Sequence, residues 1–187
     1  MQTLDGFIAK SQEDNLSWGS KEDKAFFKAK TKEIGSMIMG SKTFNAMPKI
    51  AFKDRFCIVL TKNPKKYQEK EELKNYPSQI SFLEPDIDLI KLELEKRNIE
   101  HIALIGGGLV NRFFLEKGLV NEIFITISPR LFLAGIPSFN QQNINELIQN
   151  DGKDSLANQQ EIKLELLENY LINKEEILLH YKVLENE

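Results

Sequence analysis

The chain has 187 residues, 41% of them hydrophobic and 28% charged, with a formal net charge of −3. That length suits one domain with a buried core, and the interspersed charge offers a polyanion nothing to hold, which argues against nucleic acid as a partner. No apolar run reaches the roughly 20 residues of a bilayer span, and the single cysteine, Cys57, excludes an intrachain disulfide.

In chain order, Gly6-Phe7-Ile8-Ala9 predicts a short strand end, and Ser20 to Ile34 a helix with Ala25, Phe26, Ala29 and Phe27 toward its apolar side. Ser36-Met37-Ile38-Met39 predicts a buried strand, and Gly40-Ser41-Lys42-Thr43-Phe44 the start of a short helix. Phe56 to Leu60 is a second buried strand, with Cys57 as a small core residue, and Gln79 to Leu83 a weaker one. The Lys/Glu run from Lys65 to Glu72 is expected to be solvated surface. Pro85 opens a helix to about Arg97, with Ile87, Ile90 and Leu94 at helical spacing. The run Ile102 to Ile105, three glycines, and a helix to about Glu116 follow, then a turn at Gly118 and a strand over Glu122 to Ile127. The polar stretch from Asn140 to Gln160 predicts a long loop with a short helix at Ile144 to Ile148. Ile162 to Tyr170 and Glu176 to Val183 predict a hairpin closing one sheet edge. Such alternation implies crossover connections and a mostly parallel sheet flanked by helices, in one domain over residues 1–187. With no basic-then-apolar leader, the expected compartment is the cytoplasm.

The chemistry concentrates at three turns. Gly106-Gly107-Gly108 lacks Cβ atoms, so a ligand can approach the main chain, and the helix after it offers unpaired N–H groups to an anion. A plain structural turn is the other reading of the same residues. Gly40-Ser41-Lys42-Thr43 adds hydroxyls and a cation, and Thr61-Lys62-Asn63 follows the second buried strand. Ser41 and Thr43 read equally as helix caps, and Lys62 as a surface lysine. In an open α/β sheet, however, the carboxyl ends of strands form the ligand crevice. Asp23 stands three residues after Ser20, the spacing of a capping box. The alternative is a carboxylate in a pocket walled by Trp18, Phe26 or Phe27, and Met47, gripping an N–C–N edge by paired hydrogen bonds. Neither His101 nor His180 belongs to a metal-ligand or nucleophile motif, and no metal is expected.

Taken together, these residues resemble the dihydrofolate reductase family, within the wider group that includes the reductase domain of riboflavin biosynthesis. Leu4-Asp5-Gly6-Phe7-Ile8-Ala9 resembles the start shared by that group. Leu16-Ser17-Trp18, then Asp23, Phe26, Phe27 and Lys28, resembles the loop and first helix where a tryptophan and an acid contact the pterin. Ile38 to Phe44 is similar to the cofactor-binding strand-turn-helix, and Ile105-Gly106-Gly107-Gly108 to the nicotinamide-side turn, which often contains a cis Gly-Gly peptide. Arg55 falls where the family grips the folate glutamate, and Thr126 matches the threonine that supports the acid. Asn111 stands where many relatives have a tyrosine. Ser41 replaces an arginine common at the phosphate turn, leaving Lys42 and Lys62 as partners for the ribose phosphate. The segments Gly118 to Glu122 and Pro129 to Pro137 resemble the riboflavin-type branch.

The resemblance implies a dihydrofolate-reductase-like α/β fold and NADPH-dependent reduction of dihydrofolate or a related pterin. It implies Asp23, Trp18 and Thr126 as the catalytic group, and Phe27, Met47 and Arg55 as substrate contacts. The implied NADPH contacts are Ala9, Gly40, Ser41, Lys42, Thr43, Thr61, Lys62, Ile105, Gly106, Gly107, Gly108, Leu109 and Val110. The segment Lys10 to Ser17 would act as a lid. A riboflavin-type reductase of a ribosylaminopyrimidine phosphate and a non-catalytic nucleotide-binding module are the alternatives. Riboflavin-type relatives pair through the C-terminal part, which implies a homodimer.

Overall fold

The computed structural model describes residues 1–14, 17–68, 79–139 and 161–184. The predicted loop and short helix between Asn140 and Gln160 lie outside the described residues, as do Leu16 and Glu69 to Glu72. The chain divides into two compact units, Met1–Lys24 with Gly108–Glu187, and Ala25–Gly107.

The Ala25–Gly107 unit is built on a four-stranded, all-parallel sheet. Its strands are β3 (Ser36–Gly40), β4 (Phe56–Leu60), β5 (Ile80–Leu83) and β6 (Ala103–Leu104), in the order β5-β4-β3-β6. Register explains the packing. Met37 pairs with Cys57, which pairs with Ile80, and Met39 pairs with Val59, which pairs with Phe82. Paired residues share a face, so these six form an apolar cluster with Phe44 and Phe52. Ile38 and Ile58 bury the opposite face, which is why these strands read as continuous apolar runs. Helices α2 (Ser41–Ala46), α3 (Pro64–Gln68) and α4 (Ile87–Glu95) and a 3-10 turn (Lys49–Phe52) follow the strands. Asp86 caps α4 by accepting from the Asp88 and Leu89 amides at 2.8 and 3.1 Å. Within α4, Ile90 is buried while Leu89 and Leu92 stay exposed.

Helix α1 (Lys21–Ile34) starts as expected, with the Ser20 hydroxyl accepting from the Asp23 amide at 3.1 Å. Its inward face differs from the expectation: Ala25 and Ala29 are exposed, and Phe27 and Thr31 turn inward. Four residues apart, they sit one above the other, and the Thr31 hydroxyl donates to the Phe27 carbonyl at 2.6 Å. Tyr67, placed on the surface by its charged neighbours, instead stacks on Phe82 at 5.1 Å.

The other unit holds a mixed sheet in the order β1-β7-β10-β9, formed by β1 (Gln2–Thr3), β7 (Glu122–Ser128), β9 (Leu164–Leu171) and β10 (Ile177–Val183). β1 runs parallel to β7, and β9 and β10 form the expected antiparallel hairpin. A two-stranded ribbon pairs β2 (Phe7–Ala9) with β8 (Ile136–Pro137). Helix α5 (Gly108–Glu116) buries Val110, Phe113 and Phe114, and ends ahead of Gly118 at φ 63°. β1, β8, α3 and the 3-10 turn escape sequence reading because each is too short to show a period. Among the described residues no helix is long and apolar enough to cross a membrane.

Candidate active site

The three predicted turns of the parallel sheet lie at its carboxyl edge. β3 lies between β4 and β6, so Gly40-Ser41 follows the central strand, with Thr61-Lys62 and Ile105-Gly106-Gly107 on either side. Backbone bonds tie the edge together: the Gly40 amide donates to the Gly106 carbonyl at 2.9 Å, and the Ile105 amide to Ile38 at 3.0 Å. The Thr61 amide donates to Leu83 at 2.9 Å, and the Thr61 hydroxyl accepts from the Asn63 amide at 3.3 Å. The Gly106–Gly107 peptide is cis. Ser41 and Thr43 do not act as N-caps of α2: its N-cap is Gly40, and among the described residues no side-chain cap bond forms there. Those amides, two hydroxyls and the exposed Lys42 and Lys62 make a donor set suited to the phosphates of a dinucleotide.

In the same unit, Phe27, Met47 and Ile105 all pack on the apolar cluster of the sheet. Arg55 is 6% exposed. Its Nη2 donates to the Lys28 carbonyl at 3.0 Å and its Nη1 to Ala51, while Nε is buried without a partner. Two donors of this guanidinium are therefore engaged by main-chain carbonyls. Cys57 is fully buried, and burial pushes its thiol pKa up to about 12, outweighing the lowering effect of Arg55. Such a thiol is not a nucleophile.

In the other unit, Asp23 occupies the first turn of α1, where a negative charge meets the positive end of the helix dipole. Its side chain is 15% exposed, and the Met1 amino nitrogen stands 4.0 Å from Oδ1. A carboxylate so sheltered has two oxygens on one edge, suited to an N–C–N group. Trp18 packs edge-on against Phe132 at 5.1 Å, and its buried Nε1 has no partner among the described residues. Thr126 is buried in β7, and among the described residues no hydrogen bond joins it to Asp23. Gly108, Leu109 and Val110 form the first turn of α5. Ala9 pairs with Ile136 in the ribbon.

Three further residues shape this unit. A Cβ on Gly135 would lie 2.3 Å from the Ala9 carbonyl oxygen, so only glycine lets the chain pass there. The Asn111 side chain donates from Nδ2 to the Ser138 carbonyl at 2.9 Å. Asp5 accepts from the Thr3 hydroxyl at 2.5 Å and from the Phe132 and Leu133 amides at 3.0 and 2.8 Å. The Thr3 bond first, opposed by burial and helped by the Leu133 and Phe132 amides, holds its carboxyl below the usual aspartate range. The Asp-Gly pair signals the turn at Asp5, but nothing in the sequence signals partners some 127 residues away.

The family profile described as Dihydrofolate reductase matches residues 2–169. A Bacillus subtilis (strain 168) protein, Uncharacterized protein YwjB, is 23% identical over 150 residues, 74% of this chain and 79% of that one. A solved structure of a diaminohydroxyphosphoribosylaminopyrimidine deaminase/5-amino-6-(5-phosphoribosylamino)uracil reductase from Thermotoga maritima gives a TM-score of 0.66 at 16% identity, over 98% of this chain and 54% of that one. Dihydrofolate reductase from Enterococcus faecalis, complexed with NADP(H), gives 0.62 at 17% identity, over 97% and 92%. At such identities the likeness is one of fold.

Proposed function

The chain belongs to the dihydrofolate reductase family, and from that premise we propose that it reduces 7,8-dihydrofolate to 5,6,7,8-tetrahydrofolate with NADPH. The observation that carries the reading is the carboxyl edge of the parallel sheet, where an uncapped helix start is tied to the glycine corner by the Gly40–Gly106 bond. NADPH supplies the hydride, and the protein supplies placement and electrostatics. The α2 amides and the Ser41 and Thr43 hydroxyls hold its phosphates, and Lys42 and Lys62 its ribose phosphate. Thr61, Ile105 to Val110 and Ala9 supply its remaining contacts.

Asp23 anchors the heterocycle through its N–C–N edge and favours protonation of the ring nitrogen, with water as the immediate donor. Phe27 and Met47 bracket the ring and benzoyl group. Arg55 holds the glutamate tail with the donors left after Lys28 and Ala51. Trp18 and Thr126 complete the surroundings of the acid. A second copy covers the exposed strand β9 to make a homodimer.

A second reading is reduction of a ribosylaminopyrimidine phosphate. It is favoured by the engagement of Arg55 with two carbonyls, which leaves that cation less free for a folate tail. An absorbance assay separates the readings. With dihydrofolate, the cofactor's absorbance should fall and an antifolate should stop it. Turnover only with the pyrimidine phosphate assigns the second reading, and turnover with neither leaves a nucleotide-binding module.

A further inference from the structure

A second place to hold a ligand lies on the segment that follows β7, on residues not assigned to the reduction but beside Trp18. The backbone of this wall is tied down by hydrogen bonds. The Arg130 carbonyl accepts from the Leu4 amide at 2.9 Å, the Arg130 amide donates to Ser128 at 2.8 Å, and Asp5 fixes the amides of Phe132 and Leu133. Against it lies an open recess of about 540 Å³ lined by Lys10, Arg130, Leu131, Phe132 and Ala134, all within one compact unit. Its volume is in the range of small-molecule sites, about 300–1,000 Å³.

The lining has two characters. Phe132 and Leu131 make an apolar shelf, and Leu131 remains 60% exposed, an uncovered surface that a ring would shield. Lys10 Nζ stands 5.3 Å from the centre of the Phe132 ring, and Arg130 lines the same space. Among the described residues neither cation is paired with a carboxylate. Of the acids on the adjoining segments, Asp5 is turned to main-chain amides as above, and Asp14 accepts from the Lys10 amide at 2.8 Å. An apolar guest would leave both cations unmatched. A bare anion would gain only a screened surface attraction and leave the shelf wet.

We propose that this recess binds a small aromatic oxyanion, with its phosphate or carboxylate held by Lys10 and Arg130 and its ring lying on Leu131 and Phe132. The guanidinium offers a fork to the oxyanion and Lys10 a point charge beside it. Lys10 opens the segment that leads to Trp18, so an occupant bridges that segment and the wall.

Trp18 is the only tryptophan of the chain and touches Phe132, so its emission reports on the shelf. The full chain, without nucleotide and at constant ionic strength, is titrated with phenyl phosphate, benzoate, inorganic phosphate and benzyl alcohol. A saturable change with phenyl phosphate or benzoate is expected, at a midpoint about tenfold lower than with inorganic phosphate, with benzyl alcohol inert. Which of the two aromatic ligands binds tells phosphate from carboxylate. Lys10→Gln with Arg130→Gln should raise the midpoint at least about tenfold, and Arg130→Lys should retain part of the binding, with far-UV circular dichroism confirming the fold. A response that chloride reproduces, or a double variant that titrates like the parent, overturns the proposal. So does unchanged emission together with unbroadened ring-proton resonances of both aromatic ligands.

Discussion

Asp23 and Arg55 each have a structural part beside the chemical one proposed for them. The Asp23 amide completes the Ser20 cap, and asparagine keeps that amide, so Asp23→Asn should leave α1 intact. The substitution is expected to retain NADPH binding and to lower kcat by about 10²–10⁴-fold. Undiminished single-turnover rates across neutral pH would remove Asp23 from its role. Arg55→Ala leaves the partly buried Lys28 and Ala51 carbonyls without this donor, so urea unfolding should show a loss of about 1–3 kcal/mol. Its KM for dihydrofolate should rise far more than NADPH binding weakens; equal changes would make it structural only. Asp5 carries a pH dependence. Its folded pKa is lowered, so its contribution is complete above the unfolded pKa and is lost as pH falls through the folded one. Asp5→Asn should flatten that acid-side slope in pH-dependent denaturation. Sequence reading found the Ser20 cap of α1, because cap spacing is a local signal. It missed the role of Asp5, because the Phe132 and Leu133 amides come from a remote loop.

At the scale of elements, the β2–β8 ribbon is a tightly constrained contact. Gly135 passes the Ala9 carbonyl so closely that one methyl group must push the strands apart. Gly135→Ala should lower stability by about 1–3 kcal/mol in chemical denaturation. Because Ala9 is a proposed cofactor contact, it should also weaken NADPH binding by titration calorimetry; an unchanged protein would show that the ribbon has room. The parallel strands were legible because continuous apolar runs of four or five residues leave few other readings. The inward face of α1 was less so. Two alanines and two phenylalanines fit more than one stripe, and packing on the sheet selected Phe27 with Thr31.

At the scale of the whole molecule, β9 is exposed along its length, with Leu164, Leu166 and Leu171 uncovered. Pairing places these three on the sheet face of Val183, Tyr181 and Ile177. An apolar face of that kind marks an interaction surface, and a second copy presents the same face in return. Sedimentation should show a dimer that Leu166→Glu converts to monomer; a parent chain that stays monomeric at micromolar concentration would exclude it. The sequence by itself determined the order of the longer elements, the parallel sheet, the terminal hairpin and the three strand-end turns, because apolar periodicity and glycine act over a few residues. Only the tertiary structure decided that the Gly40 and Gly106 turns are bonded, that Arg55 is engaged by carbonyls, and that Asp5 pins a distant loop. Those outcomes depend on which backbone groups of remote segments meet, and no local pattern of side chains encodes that meeting.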